Sequence, residues 1–455
     1  MARPIFGRHN WEMRCLLILL LLLAAQPGWA KPNPVPPPQA MSAVPATAGS
    51  FDPLPQLVMR AFETVNVLSG KTAPENTFAT TFLMQVSGDK LRQVGRELET
   101  QYGPIVEVTD VEQTGPSSAK FKISFEKGTS TATMTIEPEA PYKVIGFYVS
   151  DFVPLDTSPE AIVKEFQALS GKSGFTISKL TPAGPQEVLG YQSDQQFAIG
   201  SAFKLWVLDA LAEDIAKGKR KWSDVVMLSA HSLPSGEMQD WPLGSPVTLA
   251  TLATLMISIS DNTATDTLMN LLGRDALAER VLATGHSQPS RMLPMLTTLE
   301  AFSLKLAPDD QVLAYSDADD AAQGVILDRL DPALSADLLN PARFGPMPKW
   351  INQIEWFASP RDMANVMQSL HRRTDPMVMQ ILSINPGLSP AIASEFRRFA
   401  FKGGSEEGVL SLTWLIQNKV GDWYIVSQSW NHAAPHSVDP NHFAALARQL
   451  LDRVK

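Results

Sequence analysis

Between residues 51 and 155 the hydrophobic pattern is first helical and then strand-like. Apolar residues recur three and four positions apart over 54–68 and 89–102, which predicts two helices. Alternating or β-branched runs then predict four strands, over 105–111, 119–125, 129–136 and 144–152. Two helices followed by a meander predict a small α+β domain in which a curved sheet wraps on the helices.

The pattern changes after residue 156 and stays mixed to residue 455. Helices are predicted over 158–169, 201–218, 247–258, 264–272 and 442–454, and strands over 175–180, 188–191, 399–402, 409–416 and 423–429. Strands near both ends of this region enclose a helical middle. We therefore treat residues 156–455 as one larger domain.

The N-terminus has the pattern of a secretory signal peptide over residues 1–30. Arg3, Arg8 and Arg14 precede an apolar run over 16–25, and a small-x-small site ends at Ala30. A membrane span is the alternative, but the run is short for one. We expect cleavage after Ala30, no stable membrane span afterwards, and a periplasmic or secreted protein.

Residues 31–50 contain six prolines among Ala and Ser, which predicts a stiff Pro-rich linker. The whole chain carries a formal net charge of −9 and has no basic run, which argues against nucleic acid as a partner. Its single cysteine, Cys15, directly precedes the apolar run and lies within the predicted signal peptide, so we expect no disulfide or thiolate metal site in the mature chain. We expect a small-molecule substrate, no metal and no cofactor.

Candidate chemistry begins at Ser201. The sequence predicts that Ser201 lies at a helix N-terminus, where free N–H groups favour a developing oxyanion, and Lys204 follows three residues later on the same face. A lysine kept neutral by its surroundings can take the proton of such a serine. The structural alternative is an ordinary serine cap before an amphipathic helix with an exposed lysine.

Two further motifs follow Ser201 in order, Ser260-Asp261-Asn262 and Lys402-Gly403-Gly404-Ser405. Together the three segments resemble the S-x-x-K, S-D-N and K-T-G signature of class A β-lactamases and penicillin-binding proteins. The resemblance covers residues 156–455. It implies an antiparallel sheet with flanking helices plus an all-α lobe, and the first domain resembles a cystatin or ketosteroid-isomerase-like cone.

The resemblance also implies roles for individual residues. Ser201 would be the acylated nucleophile and Lys204 its base or proton relay. Ser260 would pass a proton to the leaving group, Asn262 would hold Lys204 and the substrate amide, and Lys402 would attract the substrate carboxylate.

The resemblance gives the remaining site residues binding roles. The backbone N–H groups of Ser201 and Ser405 would form the oxyanion hole. Asp261, Gly403, Gly404 and Ser405 would bind substrate. Gly403 departs from the motif, since a hydroxyl residue is usual there, and we hypothesise that Ser405 supplies the missing hydrogen bond.

A second departure concerns the deacylating base. Class A enzymes carry a loop like R-W-E-P-E-L-N, whose first Glu activates water, and the best local match here, residues 291–297, places Leu293 at that position. A leucine cannot accept a proton. Glu300 is a possible substitute, with a helix first-turn Glu capped by Thr297 or Thr298 as the favoured alternative.

The chain between Asn262 and Lys402 is also longer than in compact class A enzymes, with the extra residues around 306–353. This insertion is either a lid or peripheral packing. The two-domain order and the segments 233–240 (LPSGEMQD) and 292–298 (MLPMLTT) are similar to the isomerase-like plus β-lactamase-like serine hydrolase of the clavulanic-acid biosynthesis cluster.

The leading hypothesis is an exported serine hydrolase that acts through an acyl-serine on β-lactams or related esters and amides. The first alternative is a D,D-peptidase, penicillin-binding or esterase-like enzyme with slow turnover. The second is a non-catalytic binding protein whose first domain captures a ligand, with Tyr102 or Asp110 as polar contacts. The oligomeric state is not determined by the sequence.

Overall fold

The computed structural model describes residues 54–154, 156–229, 231–232, 234–329, 347–388 and 390–455. The predicted signal peptide (1–30) and Pro-rich linker (31–50) lie outside these residues. The chain divides into two compact units, Met1–Thr157 and Ser158–Lys455.

The described part of the first unit, residues 54–154, contains four helices and a four-stranded antiparallel sheet. The helices are α1 (Leu54–Leu68), α2 (Pro74–Thr77), α3 (Thr80–Leu83) and α4 (Gly88–Tyr102), and the strands are β1 (Ile105–Gly115), β2 (Ser118–Phe125), β3 (Gly128–Ile136) and β4 (Val144–Pro154). The sheet order is β1-β2-β3-β4, so every strand pairs with its neighbour in the sequence. The two long helices and four strands that the sequence predicted are confirmed, and α2 and α3 are additional.

Tyr102 and Asp110 have different surroundings in the first unit. Tyr102 is buried, and its ring stacks on Phe152 with 3.7 Å between the ring centroids. Asp110 is about half exposed and pairs with Lys122 at 2.7 Å on the sheet surface. These contacts give Tyr102 a packing role and Asp110 a surface ion pair.

The second unit alternates strands and helices. Its helices are α5 (Pro159–Ala168), α6 (Lys204–Ala216), α7 (Leu249–Ser258), α8 (Asn262–Leu272), α9 (Arg274–Ala283), α10 (Thr298–Leu306), α11 (Asp309–Ser316), α12 (Asp320–Arg329), α13 (Pro360–His371), α14 (Pro376–Leu382), α15 (Pro390–Ala393) and α16 (Pro440–Asp452). Its strands are β5 (Lys172–Thr181), β6 (Gly184–Tyr191), β7 (Phe197–Ala198), β8 (Val225–Met227), β9 (Pro246–Thr248), β10 (Phe357–Ala358), β11 (Arg398–Glu406), β12 (Val409–Gln417) and β13 (Trp423–Asn431).

The main sheet is antiparallel, with the order β11-β12-β13-β5-β6, so β13 joins the strands from the two ends of the unit. Successive residues of its central strands face opposite sides. Leu415 and Ile425 enter the large core around α6 and α13, whereas Trp414 and Val426 pack with α5 and α16. The predicted antiparallel sheet with helices on both faces is confirmed, and β11 is an edge strand.

Part of the insertion predicted around 306–353 packs into the large core. Val312 and Tyr315 of α11 and Leu327 of α12 are buried there. The described part of the insertion therefore contributes to packing of the core. Residues 330–346 lie outside the described residues, and the lid hypothesis for them stays a prediction.

Helix α6 is buried on almost every side, which is the pattern of a central core helix. Asp209 is one of its fully buried residues. Arg280 Nε of α9 donates to its carboxylate at 2.8 Å, and Arg373 Nη2, just after α13, donates at 2.6 Å. A buried carboxylate needs such partners, so the two arginines hold α6 against its neighbouring helices.

Arg373 also binds Glu213, one turn further along α6. The hydrogen bond from Arg373 lowers the pKa of Glu213 to about 2 from its ordinary value of 4.5. A carboxylate with a depressed pKa contributes stability that is present above its ordinary pKa and is lost as the pH falls through the folded-state pKa.

We predict that Arg373→Gln lowers the free energy of unfolding by about 3 kcal/mol, because it leaves part of the buried Asp209 charge uncompensated. The variant should also lose less stability than wild type between pH 4.5 and about 2, since the pKa of Glu213 is no longer depressed to the same extent. Urea unfolding at several pH values measures both effects. Arg372→Gln, an exposed neighbour, is the control, and equal stability of the two variants would contradict the assignment.

Candidate active site

Ser201 lies on a 3₁₀ turn, Gly200–Phe203, that runs directly into α6. The turn follows β7, and the Ile199 N–H donates to the Trp356 carbonyl at 3.0 Å, which extends the pairing of β7 with β10. The cap residues of the turn and of α6 are Ile199 and Phe203, without side-chain cap bonds. Ser201 holds neither cap position, so it is not the ordinary helix cap of the structural alternative.

Lys204 begins α6 and is fully buried, in contrast to the exposed lysine of that alternative. Its Nζ donates to the Ser260 carbonyl at 2.6 Å, to Asn262 Oδ1 at 2.7 Å and to Ser260 Oγ at 3.2 Å. A buried amino group is tolerated only with such hydrogen bonds. These contacts tie the start of α6 to the second sequence motif.

Ser260 lies in the connection between α7 and α8 and has a φ of 61°, in the left-handed region that side-chain-bearing residues rarely adopt. Lys402 Nζ donates to Ser260 Oγ at 2.9 Å, from the side opposite α6, and also to the Gly403 carbonyl at 2.6 Å. Since the Ser260 hydroxyl accepts from two lysines, its own hydrogen can be donated to a third group. This geometry suits a proton carrier.

Asp261 is completely buried, and its carboxylate is engaged by the backbone. It caps α8 by accepting from the Ala264 N–H at 2.8 Å, and its other oxygen accepts from the Glu237 and Met238 N–H groups at 2.7 and 2.8 Å. The structure thus gives Asp261 a positioning role, different from the substrate contact expected from the sequence. It fixes Ser260 and Asn262 on either side of it.

Edge strand β11 lies against the 3₁₀ turn. A Cβ atom at Gly404 would lie 2.0 Å from the Ile199 carbonyl oxygen and 2.6 Å from the Ser201 nitrogen, so only glycine permits this approach. A Cβ atom at Gly200 would lie 3.1 Å from the Ser405 nitrogen. The backbone nitrogens of Ser201 and Ser405 are therefore close neighbours, as an oxyanion hole requires.

The packing of Gly403 gives a physical reason for the departure from the usual motif. A Cβ atom there would lie 3.0 Å from Phe401 Cζ and 3.1 Å from Leu412 Cδ2. The side chains of Phe401 and Leu412 lie on the sheet face that packs with α5 and α16. A hydroxyl residue at 403 would crowd these side chains. Lys402 lies within β11, not at its end as predicted.

The loop before α10 contains Leu293, which is half-buried and packs on the large core. Glu300 forms a capping box with Thr297, whose N–H donates to Glu300 Oε2 at 2.8 Å. The other Glu300 oxygen binds Arg274. Both oxygens therefore hold the start of α10, which is the alternative that the sequence analysis favoured over a base.

Trp356 is a site residue that the sequence analysis did not assign a role. Its ring stacks on Phe203 with 4.0 Å between centroids, and its Nε1–H donates to the Leu296 carbonyl at 2.9 Å. It thereby joins the 3₁₀ turn to the loop that contains Leu293. The β10–β7 pairing that places it is only two residues long, too short a signal to recognise in the sequence.

The segment before α7 that contains Met238 and Trp241 is also packed. Met238 is fully buried, and Trp241 is half-buried against the large core. Core packing is therefore the role of both residues.

Two small cavities lie near α8, with volumes of about 120 and 40 Å³. Met295 and Arg274 line the first, and Asp266 and Ser232 line the second. Neither of these two cavities is lined by Ser201, Lys204 or Lys402. The reactive residues thus lie outside both.

Asp266 is almost fully buried in the wall of the smaller cavity. Burial raises the pKa of its carboxyl, although Ser232 Oγ donates to it at 2.7 Å and the Thr298 N–H at 2.7 Å. These bonds fix α10 to α8.

Among the described residues, no helix is long and apolar enough to span a membrane. No group of three or more His, Cys, Asp or Glu side chains in the same ranges could hold a metal ion.

The comparisons with known proteins concern the second unit. A family model described as "Beta-lactamase enzyme family" matches residues 158–454. No curated protein matches the chain.

Solved structures with similarity include a β-lactamase from Sphaerobacter thermophilus DSM 20745, with 20% identity, 65% of this chain and 96% of that chain covered, and a TM-score of 0.45. A β-lactamase from Xanthomonas campestris pv. campestris has 15% identity, coverage of 65% and 97%, and a TM-score of 0.45. A mutant of PBP-A in an acyl-enzyme complex with penicillin G has 15% identity, coverage of 65% and 94%, and a TM-score of 0.44.

We predict that Gly404→Ala slows covalent labelling of Ser201 by a serine-reactive probe by about 10²-fold, because the added Cβ pushes β11 away from the 3₁₀ turn. Intact mass spectrometry against time measures the labelling. Gly324→Ala, where a Cβ meets no atom within 4 Å, is the control. Equal labelling rates in the two variants would show that the close approach is not needed.

Proposed function

This chain belongs to the beta-lactamase enzyme family, and we propose that it is a serine hydrolase that works through an acyl-serine intermediate on Ser201. The observation that carries the proposal is the Ser260 hydroxyl, bound by two buried lysines beside the Ser201 turn. A serine, two lysines and a second hydroxyl can activate a nucleophile and protonate a leaving group without histidine.

In the acylation step, the neutral amine of Lys204 accepts the Ser201 proton directly or through Ser260 as Oγ attacks the substrate carbonyl. The N–H groups of Ser201 and Ser405 stabilise the oxyanion. When the carbon–nitrogen or carbon–oxygen bond breaks, the Ser260 hydroxyl gives its proton to the leaving atom. Asn262 keeps Lys204 in place through the 2.7 Å bond to its Oδ1.

We propose β-lactams or related esters and amides as the substrate class, with Lys402 attracting the substrate carboxylate. The two-domain order and the segments 233–240 and 292–298 support a place in the subgroup similar to the serine hydrolase of the clavulanic-acid biosynthesis cluster. Leu293 stands where the class A loop has the Glu that activates water. This supports slow hydrolysis of the acyl-serine by that route, as in a penicillin-binding or esterase-like enzyme. We further propose that the protein is exported and acts in the periplasm or outside the cell.

Incubating the mature protein with a panel of penicillins, cephalosporins and simple esters tests the proposed function. We expect a mass increase on Ser201 in wild type and none in Ser201→Ala. Intact mass over time, with substrate loss followed in parallel, makes the measurement. If Ser201→Ala consumes substrate as fast as wild type, or if neither is labelled and nothing is consumed, the hydrolase proposal is wrong, and ligand binding to residues 54–154 alone would support the binding-protein alternative.

We predict that Lys204→Met slows acylation by about 10²- to 10⁴-fold, the usual contribution of a general base. The single-turnover rate of adduct formation measures the effect. Lys217→Met at the end of α6, where Lys217 pairs with Glu213, is the matched control and should acylate at the wild-type rate. An unchanged rate in Lys204→Met would remove Lys204 from the mechanism.

For export, we predict that the full chain expressed in a bacterium yields a mature protein that begins at Lys31. The reason is the arginine-flanked apolar run before the small-x-small site at Ala30. N-terminal sequencing of the protein from the periplasmic and culture fractions shows at which residue the mature protein begins. Ala30→Asp should block cleavage, and an intact N-terminus in wild type would refute export by this route.

A further inference from the structure

A buried cluster of one lysine and two glutamates lies beside the Ser201 turn. Lys305 Nζ, from α10, binds Glu355 and donates to both oxygens of Glu406, at 2.5 and 2.6 Å. Lys305 and Glu355 are buried, with side chains 2% and 0% exposed, whereas the Glu406 side chain is 20% exposed. Among the three, water therefore reaches the Glu406 carboxyl most easily.

Glu406 is the last residue of β11 and follows Ser405 directly. Side chains alternate along a strand, so Glu406 lies on the same face as Lys402 and Gly404. That is the face on which Lys402 binds Ser260 and a Cβ at Gly404 would meet the Ser201 nitrogen. The Glu406 side chain therefore lies on the face of β11 that also carries Lys402.

Glu355 approaches the same turn from the other side. Phe357 pairs with Ala198, and the bond from the Ile199 N–H to the Trp356 carbonyl continues this pairing. Glu355 directly precedes Trp356, so it is one residue from this backbone bond. Glu406 and Glu355 are therefore sequence neighbours of Ser405 and Trp356, the two residues whose backbones lie at the Ser201 turn.

The electrostatics of the cluster suit a proton acceptor. Burial and the neighbouring Glu355 carboxylate raise the pKa of Glu406 well above its ordinary value of 4.5, against the opposing effect of Lys305. Burial alone would lower the pKa of Lys305, but the two carboxylates outweigh it and raise that pKa. In its ionised form, a more basic carboxylate is the better proton acceptor from water.

The other charged groups on the surrounding elements have partners of their own. Glu300 of α10 binds Arg274, Lys402 binds Ser260, and Glu407 accepts from the His436 N–H at 2.8 Å. The titration of Glu406 is therefore governed mainly by Lys305 and Glu355.

We propose that Glu406 is the base that activates water for deacylation of Ser201, in the role that Leu293 cannot fill, and that Glu355 and Lys305 position it. This assignment rests on the proposed acyl-serine mechanism. It also differs from the Glu300 hypothesis, because Glu300 caps the first turn of α10, whereas Glu406 ends the strand that carries Lys402 and Gly404.

The deacylation step balances as an ester hydrolysis. The water oxygen forms a bond to the acyl carbonyl carbon while Glu406 takes one water proton, and the oxyanion is held by the Ser201 and Ser405 N–H groups. The carbon–Ser201 Oγ bond then breaks, and Ser201 Oγ regains a proton, which returns Glu406 to its carboxylate. The products are free Ser201 and the carboxylic acid.

The test compares Glu406→Gln with wild type, using benzylpenicillin and nitrocefin as probes. We expect acylation within about twofold of wild type and adduct decay slower by about 10²- to 10⁴-fold, so that the Ser201 adduct accumulates. Rapid mixing and intact mass spectrometry measure both rates. Glu407→Gln, the adjacent carboxylate, and Glu300→Gln are the matched controls and should release the adduct at the wild-type rate.

Glu355→Gln supplies a second readout that a merely structural role would not move. Losing the neighbouring carboxylate lowers the pKa of Glu406, so the rise of the deacylation rate with pH should shift to lower pH while Glu406 remains present. This variant keeps the proposal testable if Glu406→Gln does not fold. If the pH dependence of the deacylation rate is the same in Glu355→Gln and wild type, the assignment of Glu406 as the base is wrong.

The two failures are distinguishable. If wild type forms no Ser201 adduct with either probe, the proposed acyl-serine function fails, and the role of Glu406 fails with it. If wild type and Glu406→Gln lose the adduct at the same rate, or if the wild-type adduct persists at every pH, only the Glu406 assignment is overturned.

Discussion

The buried amino group of Lys204 is the constraint on which the site depends. Removing an amine from water costs free energy unless hydrogen bonds replace its hydration. Here the replacement comes from the Ser260 carbonyl, the Ser260 hydroxyl and the Asn262 amide oxygen. The loop between α7 and α8 must therefore hold one conformation, even though Ser260 has a left-handed backbone.

Contacts elsewhere in the second unit stabilise that conformation. Asp261 uses its carboxylate to cap α8 and to hold the 237–238 backbone, so the residues on either side of it are fixed. On the opposite side, the arginine pair on Asp209 anchors α6 within the core. Rigid packing of this kind keeps reacting groups within the narrow geometry that acyl transfer needs.

The second constraint is the close approach of two backbones. Gly404 lets β11 come within contact of the Ser201 turn, and this brings two N–H groups near the nucleophile without any side chain. Glu406 follows Ser405 on the same strand, and Glu355 precedes Trp356, whose carbonyl accepts from the Ile199 N–H. A leucine at position 293 leaves the loop before α10 without a base, whereas the buried cluster offers a carboxyl on the reactive face. In this proposal, acylation uses Lys402 and Ser405 of β11, and deacylation uses Glu406 at the end of the same strand.

Much of the fold and of the candidate site could be predicted from the sequence because the relevant signals are local. The helical spacing in α1 and α4, the alternation in β1–β4 and β11–β13, and the three short motifs each lie within a few residues. Local chemistry also favoured a capping box at Thr297 and Glu300 over a catalytic role, and the structure has that box.

Other features were decided only by the tertiary structure. Asp261 is a buried cap because the 237–238 backbone folds over it, and no spacing in the sequence reports that contact. Trp356 and Glu355 reach the Ser201 turn through a two-residue pairing between segments about 160 positions apart. Glu406 is next to a recognised motif, but its burial with Lys305 depends on α10. The sequence by itself determined the reactive groups and their order, because these depend on neighbouring residues. Tertiary structure alone decided which charges are buried together, because burial depends on segments that are distant in the chain.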